Sequence, residues 1–163
     1  MLSFKDFLEE NEHLKHYTTA GRGFELNRKL ASGESLTPEE HSHVEGLKAH
    51  IMNNRITKST TLYRGVGEKP GKSVYSRGFL STSNDLDTAL QYAENHRSIN
   101  GSDSSHVLQI HARPGNPVAD IDEHSMYQGE GEHLIHPDTR IHITHSEYDP
   151  ETRTHIHHGS IAE

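Results

Sequence analysis

The stretch Gly129-Glu130-Gly131-Glu132, followed by His133-Leu134-Ile135, sets two carboxylates two positions apart at the mouth of an apolar run. If the run is a strand, alternate side chains share a face, so Glu130 and Glu132 point the same way about 7 Å apart along the backbone. Like charges that close are unfavourable unless a cation stands between them or chemistry uses them. Two further stretches offer polar groups of matching use. In TTLYRGV, residues 60–66, Arg64 stands at a strand end beside Gly65. A guanidinium there presents a planar fork of donors to a pair of phosphates, and the glycine lets a ligand approach the backbone. In GFLSTS, residues 78–83, Ser81 and Ser83 face one way on a strand and Thr82 the other. Taken singly, each stretch has an ordinary explanation: a solvated turn, a solvated strand-end arginine, an edge strand rich in hydroxyls.

The surrounding sequence has to position these groups. The first third is helical in pattern. Phe4, Phe7, Leu8 and Leu14 recur at helical spacing after Ser3 as cap, and Phe24, Leu26 and Leu30 do so before Gly33, which stops that helix. Thr37 caps a third helix, with Pro38 in its first turn and Val44, Leu47 and Ile51 on one face. Beyond Asn54 the period turns strand-like. TTLYRGV and SRGFLSTS are expected strands, and DLDTALQYAENH is a helix capped by Asn84 or Asp85. INGSDSSH is a loop, VLQIHA a strand, RPGNPVADI a turn that extends again, and residues 132–163 read as three strands joined by turns. Helices first and strands later predict an α+β fold, with residues 1–55 as a helical lobe and 56–163 as a largely antiparallel β core holding one helix near 84–96. A single domain over 1–163 is expected.

Composition narrows the class. The formal charge of −8 lacks the basic field of a general nucleic-acid binder, though a few arginines still suffice for one small anion. With no cysteine, thiolate metal sites, disulfides and cysteine nucleophiles are excluded. The charged start MLSFKDFLEENEH is no signal peptide, and no apolar run is long enough to span a bilayer, so a cytoplasmic protein without a membrane partner is expected. Sixteen histidines are the oddity. His133 and His136, three apart, fall on opposite faces of a strand, and no HExxH order occurs, so the reading assigns no metal. His155 and His157 share a face as the most that the spacing offers.

Together, an arginine strand, a Ser-Thr-Ser strand and a Glu-x-Glu strand in that order resemble the arginine–serine–glutamate (cholera-toxin-like) class of mono-ADP-ribosyltransferases. The likeness covers nearly the whole chain, since YTTAGRGFELNRKL also resembles the N-terminal helical lobe of these domains. It implies two packed, mainly antiparallel sheets forming an NAD-binding cleft, NAD as co-substrate and no metal. It implies that Arg64 contacts the NAD phosphates, that the Gly65 backbone meets the nicotinamide carboxamide, and that Ser81, with Thr82 and Ser83 beside it, orients Glu132 or the ribose. Glu132 would hold the ribose and stabilise the oxocarbenium-like charge as nicotinamide leaves, the use of fixed carboxylates familiar from glycosidases. Glu130 would deprotonate an acceptor guanidinium. Tyr127 would meet the target, and Arg97, or alternatively Arg77, would touch a second phosphate. Members modifying amides tend to carry glutamine at the position of Glu130, so a protein arginine is the implied acceptor and NAD hydrolysis the side reaction. The small size resembles compact tailed-phage enzymes acting in a host cytoplasm as monomers, with a secreted bacterial effector as the other setting. Rival readings are an NAD glycohydrolase, a transferase acting on a nucleic acid or small guanidine, and a histidine-rich metal-binding or scaffold protein without catalysis.

Overall fold

The helices form where the sequence supplies caps. In the computed structural model, which describes residues 12–18, 22–100, 104–124, 129 and 131–162, four helical segments occur: α1 (residues 12–18), α2 (Arg22–Ser32), α3 (Pro38–Asn53) and α4 (Leu86–Asn100). Ser3, Phe4, Phe7 and Leu8 lie outside the described residues, as do Tyr127 and Glu130. Gly33 ends α2 at φ 74°, and the Glu34 N–H closes back on the Lys29 carbonyl at 3.1 Å, the left-handed stop that glycine permits. Thr37 and Glu40 cap α3 reciprocally: the Thr37 hydroxyl accepts from the Glu40 N–H, and the Glu40 carboxylate accepts from the Thr37 N–H. Of the two candidate caps for α4 it is Asp85 that serves, accepting from the Asp87 N–H and the Thr88 hydroxyl. Asn84 instead donates its N–H to the Gly131 carbonyl. The helix also runs through Asn100, into what the sequence pattern assigned to a loop.

Eight strands follow: β1 (Thr60–Val66), β2 (Ser73–Ser76), β3 (Leu80–Ser83), β4 (Ser105–Ala112), β5 (Val118–Asp120), β6 (Glu132–Ile135), β7 (Thr139–Asp149) and β8 (Thr154–Ile161). Their order is β2-β7-β8-β4-β1-β3-β6-β5, antiparallel throughout except for the parallel β4–β8 pair. The two expected sheets are thus halves of one hydrogen-bonded order, joined between β1 and β3 by a single pair, Tyr63 with Ser83. The expected strand SRGFLSTS, residues 76–83, is broken: Ser76 ends β2, which pairs with β7, and only Leu80–Ser83 lies beside β1. That short segment owes its conformation to its partner strand and carries no pattern of its own.

Alternation along the strands separates the molecule into layers. Leu62, Leu108, Val118 and Ile135 point into a core between the two half-sheets. Their neighbours Ala119 and Leu134 face the other way, onto Leu14, Tyr17, Leu26, Val44, Leu47 and Ile51 of the helical lobe. On the far side, Tyr63 and Val107 meet Ala89 and Ala93 of α4. The order is therefore helical lobe, half-sheet, half-sheet, α4. Gly65 marks the closest approach of α4 to β1, since a Cβ there would lie 2.6 Å from both the Ala89 carbonyl oxygen and the Ala93 nitrogen. Among the described residues, no helix is long and apolar enough to cross a membrane.

Three histidines among the described residues, His50, His133 and His157, are buried. His133 (5% exposed) has its ring Nδ1 at 2.9 Å from the Gly131 carbonyl. His157 (2% exposed) lies between the Ser146 hydroxyl and the His106 ring, at 2.7 and 3.0 Å. Burial, and then the neighbouring His106 and His155, push His157 down to about 4.

Two outcomes follow from these local structures. Thr37→Ala should lower stability by about 1 kcal/mol in denaturant unfolding, because it leaves the Glu40 N–H without its acceptor. For His157, the unfolded ring takes a proton near pH 6.5 and the folded ring only near 4. The unfolded chain thus binds the proton first as pH falls, so this contribution is complete above pH 6.5 and is lost between 6.5 and 4. Unfolding midpoints measured across that range should fall with pH, and His157→Gln should flatten the slope; an unchanged slope would remove His157 as its source.

Candidate active site

The single joint between the half-sheets brings the predicted residues together. β1, β3 and β6 lie side by side, with Tyr63 opposite Ser83 and Ser83 opposite Glu132. Residues paired across a ladder share a face, so Ser81, Ser83 and Glu132 all turn towards the helical lobe. Arg64 bridges the joint from the other strand: its Nη1 donates to the Ser81 carbonyl at 2.8 Å. The guanidinium is largely buried, and desolvation pulls its pKa down. Among the described residues no carboxylate forms an ion pair with it, so this desolvated cation favours an anion.

Ser81 is held from the lobe. The Tyr17 hydroxyl lies 2.8 Å from Ser81 Oγ, and the Asn27 side-chain amide donates to the same hydroxyl at 2.9 Å. Asn27 in turn accepts from the Phe79 N–H at 2.8 Å. Since Asn27 donates to Tyr17, the phenolic proton can pass to Ser81 Oγ, which leaves the serine proton to turn outward. Burial raises the Tyr17 pKa above its ordinary value, the Ser81 and Asn27 bonds oppose that, Glu132 raises it and Arg64 lowers it. Tyr17 is therefore within electrostatic reach of both Glu132 and Arg64. Neither Tyr17 nor Asn27 was singled out in the sequence; the contact joins residues 64 positions apart, and helical periodicity explains Tyr17 as an ordinary core residue.

The other serine-strand hydroxyls serve the fold. Thr82 Oγ1 donates to the His133 carbonyl at 2.9 Å, which fixes β3 against β6, and Ser83 Oγ accepts from the Asp85 N–H at the start of α4. Arg97 sits in the last turn of α4 near Glu94, 3.7 Å away. It is not among the residues lining the cavity of about 400 Å³ at Arg64, whereas Arg77, Arg28, Asn27, Phe24 and Phe79 are. A cavity of that volume, with two exposed aromatic rings, Phe24 and Tyr75, and several guanidinium groups, is of the size that takes a small organic ligand.

The Glu-x-Glu segment has its own anchor. Asp122, in a short 3₁₀ turn (Asp122–His124), accepts from the backbone N–H groups of Gly129, Gly131 and Glu132 at 3.0–3.3 Å. Gly129 and Gly131 have positive φ, 95° and 63°, and a Cβ at Gly131 would fall 1.8 Å from Asn84 Oδ1. The positive φ favours glycine at both positions, and at Gly131 a side chain would also displace the Asn84 amide. Glu130, between them, is outside the described residues.

No protein-family model matches the chain, and no curated protein matches it in sequence. Its fold is nonetheless that of bacterial ADP-ribosyltransferase toxins. The Clostridium limosum C3 exoenzyme superposes with a TM-score of 0.79 over 98% of this chain and 90% of its own, at 14% identity. Plx2a, an ADP-ribosyltransferase toxin from Paenibacillus larvae, gives 0.76 over 95% and 86%, at 17% identity. C3stau2 from S. aureus, solved with NAD, gives 0.75 over 96% and 87%, at 16% identity.

Asp122→Ala would strip three backbone donors of their acceptor, a loss worth about 1–3 kcal/mol where such groups stay dry. Amide hydrogen exchange at Gly129, Gly131 and Glu132 should accelerate while the amides of β4 and β8 remain protected. Unchanged exchange at those three positions would show that Asp122 does not hold the segment.

Proposed function

We propose that this protein transfers ADP-ribose from NAD to an arginine side chain of a target protein, releasing nicotinamide, with hydrolysis of NAD as its side reaction. The observation that carries the reading is the largely desolvated Arg64 guanidinium, bonded to the Ser81 backbone at the joint of the half-sheets and bordering a cavity that Asn27 and Arg77 also line. A desolvated cation in a cavity suits a pyrophosphate, and a fold like this one has been solved with NAD.

In this reading Arg64 pairs with the NAD phosphates, and Arg77 from the same cavity is better placed than Arg97 to add a second contact. The Gly65 backbone meets the nicotinamide carboxamide. Ser81, oriented by Tyr17, presents its hydroxyl to Glu132 or to the ribose. The C1′–N bond of NAD breaks with its electron pair going to nicotinamide, and the Glu132 carboxylate stabilises the positive charge that grows on the ribose. A guanidine nitrogen of the target then bonds to C1′, and its proton passes to Glu130. Thr82 and Ser83 act indirectly, by holding β3 and the start of α4 in place. Tyr127, upstream of the two glutamates, is assigned to the target surface, and the protein acts as a monomer in the cytoplasm of the target cell. The arginine acceptor and the phage-like setting are supported by the sequence resemblance alone.

The test incubates the protein with labelled NAD and a cell lysate, following both protein labelling and nicotinamide release. Glu132→Ala should lose both activities by at least about 100-fold, as for removal of a group that acts on the transition state. Glu130→Gln should lose labelling and retain nicotinamide release. Absence of both activities in the parent protein would sink the transferase reading. Parallel loss of both in Glu130→Gln would remove the acceptor role of that residue.

A further inference from the structure

The helical lobe holds a cluster that the reading above does not use. His16 of α1 and Glu39 and His43 of α3 each offer one donor atom, all within 4.8 Å of one another. Among the described residues this is the one group of histidine and acidic side chains that converges so. We propose that His16, Glu39 and His43 bind a zinc-class divalent ion that clasps α1 to α3.

The geometry supports this in several independent ways. Glu39 and His43 are four apart on α3 and share one face, with His43 Nε2 3.7 Å from Glu39 Oε1. The His16 ring stacks on His43 with centroids 3.7 Å apart, which brings the second helix to the same point. His43 Nδ1 is engaged with His13 Nδ1 at 2.9 Å, so its other nitrogen is the one directed at Glu39. A ring nitrogen held by an outer partner is the usual arrangement for a metal-binding histidine. The His13 ring occupies a cradle made by Gly46, where a Cβ would lie 2.0 Å from its Cδ2, so α3 leaves room for that outer partner.

Two imidazoles and a carboxylate, with a fourth position open to water, are a donor set for zinc rather than for oxygen-seeking calcium or magnesium. With metal–ligand bonds of about 2.0–2.1 Å, tetrahedral donors stand roughly 3.4 Å apart, so the set closes once the His16 ring, stacked nearly parallel to His43, tilts until the two ring lone pairs meet at one ion. Arg22 opposes it: its Nη1 lies 3.4 Å from His16 Nδ1 and has to turn away into solvent. The site was not legible in the sequence, because His16 lies 23 and 27 residues before Glu39 and His43 and no local motif joins it to them. The ion has a structural consequence. His16 immediately precedes Tyr17, the residue that holds Ser81, so fixing this turn of α1 also fixes the tyrosine.

The test uses the full chain stripped with a chelator and titrated with Co²⁺ as spectroscopic probe and with Zn²⁺ in thermal unfolding. It reads the ion and not NAD turnover, so it stands or falls apart from the proposed activity. One equivalent of Co²⁺ should give the intense visible bands of a low-coordinate site, and Zn²⁺ should raise the unfolding midpoint. His43→Gln and His16→Asn should abolish the bands while the ion-free variants keep the parent's helical circular dichroism. His13→Ala should weaken binding about 10- to 100-fold, as for loss of an outer partner. Arg22→Ala should tighten it, and His157→Ala should leave it unchanged. The proposal is overturned if no stoichiometric ion binds at micromolar concentration, or if the bands survive in both His16→Asn and His43→Gln.

Discussion

One backbone pair, Tyr63 with Ser83, holds the two half-sheets in a continuous order. Elsewhere the ladders are longer, with seven residue pairs between β1 and β4 and four between β3 and β6. At the joint the strands diverge after one pair, and the backbone groups beyond it need other partners. Arg64 supplies one of them by donating to the Ser81 carbonyl. The same divergence makes room beside Arg64. The site is thus a local failure of strand pairing, stabilised from both sides: by α4 packed on Gly65 and by Tyr17 and Asn27 of the lobe, which fix Ser81 and Phe79.

Much of this was legible in the sequence, for reasons that differ by element. TTLYRGV matches β1 residue for residue, because its turn-forming flanks and β-branched residues are local signals. The Thr37-Pro38-Glu39-Glu40 start of α3 was legible for the same reason, each residue meeting a requirement of the first helical turn. β2 was not, since SVYS is a short edge segment defined by pairing with residues some 65 positions later. Arg64, Ser81 and Glu132 were singled out because three strand motifs in that order resemble a known family, and the structure sets the strands that carry them side by side. Tyr17, Asn27 and Asp122 were missed because their contribution is long-range: a phenol in a helix and an aspartate in a turn carry no mark of what they touch.

The histidines show how the same residue type serves opposite ends. His157 and His133 are buried as hydrogen-bonding groups and cement strand to strand or strand to loop. His13, His16 and His43 are half-buried on facing helices, where their rings converge on one another and on Glu39. Spacing in the chain could not separate these uses, because what matters is which rings meet across elements.

The parallel pairing of β8 against β4 has a consequence in time. Thr154–Ile161 lies in the interior of its half-sheet, between β7 and β4, and β4 is the neighbour that supports the arginine strand. A chain emerging from the ribosome has completed β1, β3 and β6 well before it supplies that interior strand. Pairing so distant in sequence is slow, and until it forms β4 has one open edge. A chain stopped before Thr154 therefore carries Arg64, Ser81 and Glu132 on strands whose outer support, β4, still offers an unpaired edge.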